Sequence, residues 1–171
     1  MTIVVLMGVT GSGKTTVGQM LAQRFGWSFL DADDFHPEAN IAKMRAGVAL
    51  GDADRWPWLD ALNARLRQCR AAGANAVLAC SALKRVYRER IAAGLPDTHW
   101  VHLAGSFEQI GTRLQQRQGH YMSPSLLRSQ FDTLEAPDDA LALDIAATPE
   151  ALADAIAVGF GLTPTAPPSA A

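Results

Sequence analysis

Five short apolar runs punctuate the chain, and between them apolar residues recur at every third or fourth position. The runs fall at residues 3–7 (IVVLM), 28–31, 76–80 (AVLAC), 99–103 and 141–145. Short apolar runs bounded by turn-forming residues predict strands. The stretches between them predict helices. Residues 14–25 place Val17, Met20, Leu21 and Phe25 on one stripe, which Gly26 closes. Residues 54–70 repeat Trp58, Leu59, Leu62, Leu66 and Cys69 at the same spacing, with Asp54 as the expected cap and Pro57 in the first turn. Further helices are expected at 38–46, 83–92, 107–117, 124–134 and 149–160.

Strand and helix in alternation predict an α/β, three-layer fold: a five-stranded parallel sheet flanked by helices on both faces. All strands of such a sheet end on the same edge, where ligands gather. Residues 8–15, 32–37, 81–84 and 104–107 are therefore expected to be neighbours, and chemistry is to be sought among them. Residues 1–162 read as one domain. The Pro/Ala-rich tail 163–171 (TPTAPPSAA) reads as disordered.

Composition narrows the function classes. A chain of 171 residues can bury a core as one domain, and 49% hydrophobic with 19% charged residues is ordinary for a globular protein. A formal net charge of −2 provides no basic field, so no nucleic-acid partner is expected. Cys69 and Cys80 lack metal-type or C-x-x-C spacing and read as buried thiols. No apolar run approaches the roughly 20 residues that span a bilayer, and no leader pattern is present. A cytoplasmic protein without a membrane partner is expected.

The first strand runs directly into Gly8-Val9-Thr10-Gly11-Ser12-Gly13-Lys14-Thr15, a full match to G-x-x-x-x-G-K-[ST] that opens a helix. Backbone N–H groups can wrap phosphate oxygens only where the chain takes dihedrals and close approaches that glycine permits. The helix N-terminus adds partial positive charge. Lys14 is placed for the β- and γ-phosphates and Thr15 for Mg²⁺, so ATP and Mg²⁺ are the expected cofactors. Gly8 through Gly13, Lys14, Thr15 and Thr16 form the nucleotide-binding set. Switch GTPases, transport ATPases and small-molecule kinases all use this loop, so it does not name a reaction.

The second strand runs into FLDADDFHPEAN. Asp33 lies two residues past the strand end, where a carboxylate could accept an acceptor hydroxyl's proton or hold the hydroxyl in line. Asp31 is the second metal candidate, since strand 76–80 ends without the aspartate that many P-loop proteins use.

At this point the chain resembles the gluconokinases, small P-loop sugar-acid kinases similar in architecture to shikimate kinase. The resemblance runs from Gly8 to about Pro137. It rests on GVTGSGKTT, LDADDFHPEANIAKMRAGVAL, DADRWPWLDALN, CSALKRVYRERI, RLQQRQGHYM and LLRSQFDTLEAP. It implies transfer of the ATP γ-phosphoryl group to the 6-hydroxyl of D-gluconate, and it implies a homodimer. Arg55, at the start of a helix, offers a planar fork suited to the acid's carboxylate. Lys84 offers a second cation near the same edge, and the family's H-P pair makes His36 a substrate contact. Arg113 and Arg117, one turn apart on a helix, fit adenine stacking and neutralisation of phosphate charge respectively. With Asp33 and Lys14, Arg117 completes the expected catalytic set. A mobile lid at about 117–131, hinged at Gly119, would exclude water. Gln130, in the family's S-Q pair, is expected to touch the substrate. Shikimate or a nucleoside monophosphate as acceptor, or a nucleotide switch without one, stay open; no guanine-reading N-K-x-D segment is present.

Overall fold

The computed structural model describes residues 1–116 and 124–163. Its five strands are β1 (Ile3–Met7), β2 (Ser28–Asp31), β3 (Ala76–Ala79), β4 (Thr98–Ala104) and β5 (Leu141–Asp144). They form one sheet in the order β2-β3-β1-β4-β5, every pairing parallel. The expected α/β layering is what forms. β1 lies at the centre and is buried along its whole length, hence an unbroken apolar run rather than an alternating one.

Side-chain alternation sends the two halves of β1 to opposite faces. Val4 and Leu6 meet α1 (Lys14–Phe25), α5 (Phe107–Gln116), α6 (Pro124–Thr133) and α7 (Pro149–Gly159) through Val17, Leu21, Phe25, Ile110, Leu127 and Ile156. Ile3, Val5 and Met7 meet α3 (Asp52–Ala71) and α4 (Arg85–Ala92) through Trp58, Leu59, Leu62, Leu66, Tyr87 and Ile91. Helix α2 (Glu38–Arg45) stands outside both cores, and its buried residue is the polar Asn40. Cys69 and Cys80 are both buried, and burial pushes the Cys80 thiol up to about 12. Among the described residues, no helix is long and apolar enough to cross a membrane.

Two helix starts differ from the sequence expectation. Helix α3 begins at Asp52 with Gly51 as its N-cap, and Asp54 reaches back to accept the Gly51 N–H at 3.0 Å. Asp54 is thus the third helical residue and not the cap, and Pro57 falls inside the helix rather than in its first turn. Helix α4 begins at Arg85 and not at residue 83, because residues 82–84 are spent in a turn. Between β2 and α2, Ala32–Phe35 forms a 3₁₀ turn whose N-cap, Asp31, accepts the Asp33 N–H at 3.2 Å.

Candidate active site

β1 ends between β3 and β4, the place in an open parallel sheet where neighbouring connections leave to opposite sides and open a crevice. Residues 8–15 fill that crevice. Gly8 has φ 141°, and a β-carbon there would stand 2.7 Å from the Leu103 carbonyl oxygen, so only glycine lets the loop lie against β4. Gly13, at φ 96°, is the N-cap of α1 and supplies no side-chain cap. The first turn also lacks acidic residues, which leaves its partial positive charge for an anion. Ser12 Oγ is buried without a hydrogen-bond partner among the described residues. A cradle with an uncapped helix end and an orphaned buried hydroxyl fits a polyphosphate.

Lys14 Nζ folds back onto the carbonyls of Gly8 and Val9, 3.0 Å from each. Thr15 Oγ1 donates to Asp31 Oδ2 at 3.1 Å, so the two residues expected at the metal present oxygens to one point. That arrangement suits Mg²⁺, which keeps most of its shell as water and substrate phosphate.

Asp33 and His36 follow along the same edge. The walls of the site push the Asp33 carboxyl above its ordinary range, and the charge of Asp31 adds to this; His36 and Lys14 pull the other way. Burial holds the His36 imidazole below its ordinary value, Arg55 lowers it further, and Asp33 opposes both. The ring stacks on Trp58 with centroids 4.3 Å apart, and Trp58 Nε1 donates to the Ala32 carbonyl at 2.7 Å. Asn40 Nδ2 stands 3.4 Å from His36 Nδ1 and donates to the Asp54 carbonyl at 2.8 Å.

Beyond His36 lie the two expected substrate cations, joined through residues that sequence reasoning missed. Lys84 Nζ contacts both oxygens of Asp52, and Tyr87 Oη donates to Asp52 Oδ1. Arg55 Nη1 donates to Tyr87 Oη at 3.0 Å. The Asp52 carboxyl is held below its usual range by the Tyr87 hydroxyl first and by Lys84 next. A spacing signal was available. Asp52 stands three residues before Arg55 and Tyr87 three after Lys84, so each pair shares one face of a helix start.

Lys14, Asp31, Asp33, His36, Arg55 and Lys84 thus form one row from the phosphate loop outward. Arg113 and Gln130 sit on the other side of the loop. Arg113 donates to the Ile145 carbonyl beside a cavity of about 400 Å³ lined by Glu108, Gln109, Thr112 and Ala146. Gln130 is seated on the loop: its Oε1 accepts the Thr10 N–H at 2.7 Å and its Nε2 donates to Thr10 Oγ1 at 3.1 Å. Residues 124–131 of the expected lid form part of α6, whereas Arg117, Gly119 and the rest of residues 117–123 lie outside the described residues, as does all but the first residue of the expected tail.

A phosphate loop at the switch point of a parallel sheet, facing a carboxylate and then a cationic pocket, defines a P-loop kinase domain. A family model described as an AAA domain, AAA_33, matches residues 3–137. The gluconokinase of Gluconobacter oxydans (strain 621H) is 50% identical over 135 residues, covering 79% of this chain and 76% of that protein. The thermosensitive gluconokinase of Escherichia coli K12 is 44% identical over 133 residues, covering 78% and 71%. A gluconokinase crystal structure from Sinorhizobium meliloti 1021 matches with a TM-score of 0.85 at 39% identity, over 94% of this chain and 91% of that one. The chain belongs to the gluconokinase family.

Proposed function

We propose that this protein transfers the γ-phosphoryl group of ATP to the 6-hydroxyl of D-gluconate, giving 6-phospho-D-gluconate and ADP. The observation that carries this reading is the row from Lys14 through Asp33 and His36 to the Arg55–Tyr87–Asp52–Lys84 cluster. An extended polyol with a single carboxylate fits it: the acid end against the cations, the far hydroxyl beside Asp33 and the phosphate loop. A monophosphate acceptor would present more negative charge than a cluster that already contains Asp52.

In this scheme the 6-hydroxyl oxygen forms a bond to the γ-phosphorus while the bond from that phosphorus to the bridging β-oxygen breaks. The hydroxyl proton passes to Asp33 and then to water. Raising the Asp33 carboxyl above its ordinary range makes it a better acceptor for that proton. His36, kept neutral, holds a hydroxyl of the chain, and Arg55 and Lys84 hold the carboxylate. Lys14 leaves the loop carbonyls for the phosphates, and the backbone of residues 8–15 orients them. Mg²⁺, held by Thr15 and Asp31 when bound, neutralises phosphate charge. The cavity beside Arg113 receives the base, Gln130 acts by fixing Thr10, and Arg117 supplies a further cation. A cytoplasmic homodimer completes the reading, and light scattering of the purified protein checks its oligomeric state.

The deciding experiment is ADP release with ATP and Mg²⁺ against gluconate, shikimate, glucose and AMP. Turnover on gluconate is expected. Turnover on shikimate or AMP alone overturns the assignment, and nucleotide binding with no acceptor-dependent release favours a switch.

A further inference from the structure

The turn that carries Lys84 is held by a buried cation that the transfer scheme leaves unused. Ala82 has φ 44°, the one positive φ among described non-glycine residues, a conformation that a β-carbon disfavours. Such a turn persists only if its surroundings over-determine it, and here the holding group is Arg88. The residue is 8% exposed, and its Nη1 donates to the carbonyls of Ala82, Leu83 and Glu135 at 3.2, 3.3 and 2.9 Å. Burial lowers its proton affinity, and the nearby carboxylates of Asp139, Glu135 and Glu89 offset this.

Glu135 lies just past the end of α6 and is bonded to the same turn twice more. Its N–H donates to the Leu83 carbonyl at 2.9 Å, and its Oε2 accepts the Arg85 N–H at 2.6 Å. At its other contact α6 holds the phosphate loop, through Gln130 on Thr10. The turn itself touches the loop where Gly8 N–H donates to the Ser81 carbonyl at 3.3 Å. The phosphate loop, α6 and the Lys84 turn therefore make a closed hydrogen-bonded circuit, with Arg88 at the junction of α6 and the turn.

We propose that Arg88 is a positioning residue that locks the Lys84 turn to the exit of α6 and thereby couples nucleotide binding to sugar-acid binding. A nucleotide in the loop fixes Thr10 and, through Gln130, the seat of α6. Arg88 carries that placement to residues 82–84 and sets the Lys84 ammonium against the acceptor's carboxylate. Without Arg88, the strained turn relaxes toward negative φ, and Lys84 moves while the phosphate loop keeps its own bonds.

The inference rests on the gluconate reading only through the acceptor used to test it. The full-length wild type, Arg88→Lys, Arg88→Met and Ala82→Gly/Arg88→Met are compared by calorimetry and steady-state kinetics. Gluconate affinity is measured with and without a non-hydrolysable ATP analogue. In the wild type the analogue should tighten gluconate binding about tenfold, within the usual range of site-to-site coupling. In Arg88→Met that factor should fall toward one and the gluconate KM rise roughly tenfold, with affinity for the analogue alone changed less than about twofold. Arg88→Lys, which keeps the charge but loses the length and the planar guanidinium, should lie between. Adding Ala82→Gly should recover part of the loss, since glycine takes the positive φ without strain. If Arg88→Met does not fold, Arg88→Lys decides. A wild-type factor of one, or wild-type coupling in Arg88→Lys, overturns the proposal. An inactive wild type on gluconate instead removes the acceptor assignment.

Discussion

The ammonium of Lys84 is gripped by both carboxylate oxygens of Asp52, at 2.9 and 3.0 Å. The contact joins the first turn of α3 to the N-cap of α4, two helix starts separated along the chain by the whole of α3 and β3. Through Tyr87 Oη it reaches Arg55 as well, so one carboxylate ties both cations together.

Asp52→Asn keeps the shape and removes the charge that holds this arrangement. The gluconate KM should rise by roughly tenfold, the size expected when a charge-assisted contact is replaced by a neutral one. The ATP KM should stay unchanged, because the hydrogen bonds described for Asp52 go to Lys84 and Tyr87 and not to the phosphate loop. Initial rates with both substrates varied check this, and an equal rise in both constants would make Asp52 a fold element instead. Tyr87→Phe should move the gluconate KM in the same direction and by less.

Lys14→Ala removes the loop's cation and also the donor that now bridges the Gly8 and Val9 carbonyls. Loss of a group aimed at charge that develops in the transition state costs about 10²- to 10³-fold in kcat, and the Lys14 variant should lose at least this much. Near-normal kcat would mean that the loop does not cradle the reacting phosphates.

Asp33 should set the acid limb of the rate profile. Its carboxyl titrates above its ordinary value of 3.8, so the proportion ready to take a proton falls as pH drops through that raised value. The acid limb of kcat should therefore lie above the ordinary carboxylate range, and Asp33→Asn should abolish it along with most of kcat while changing ATP affinity little. A wild-type limb at or below 3.8 would assign the proton to another group.

How far the sequence could be read depended on how local the causes were. β1, α1 and the glycine pattern are set by their own residues: an unbroken apolar run, a stripe ended by Gly26, and dihedrals that only glycine takes freely. These were legible with their boundaries. The start of α3 was misplaced because its cap is the backbone of Gly51, with Asp54 bonding backwards, and an aspartate before an apolar stripe looks the same whether it caps from in front or from within. The start of α4 was misplaced because the Ala82 turn is held by Arg88 and Glu135, a cause that no local window contains. Within the site, the cations Arg55 and Lys84 were visible as charges at helix starts. Asp52 and Tyr87 were legible only as same-face neighbours of Arg55 and Lys84 respectively, because the pairing across the two helices exists only once they meet. Gln130 was expected at the substrate; its contact with Thr10 depends on how α6 packs over the phosphate loop.

His102 links the same region to stability. It sits on β4, is 8% exposed, and its imidazole is held below the ordinary value of 6.5 by burial first and by the charge of Arg88 second. In the unfolded chain it takes a proton near that ordinary value, whereas in the folded protein it resists until lower pH. Below pH 6.5 this histidine therefore binds more proton in the unfolded state, and its contribution to stability falls as the solution is acidified toward the folded-state value. His36 is shifted in the same direction and contributes to the same slope. Thermal unfolding followed from pH 7.5 downward should show a falling Tm in the wild type and a shallower fall in His102→Gln, whatever that variant's stability at neutral pH. A His102→Gln slope equal to the wild-type slope would show that His102 carries its proton equally in both states.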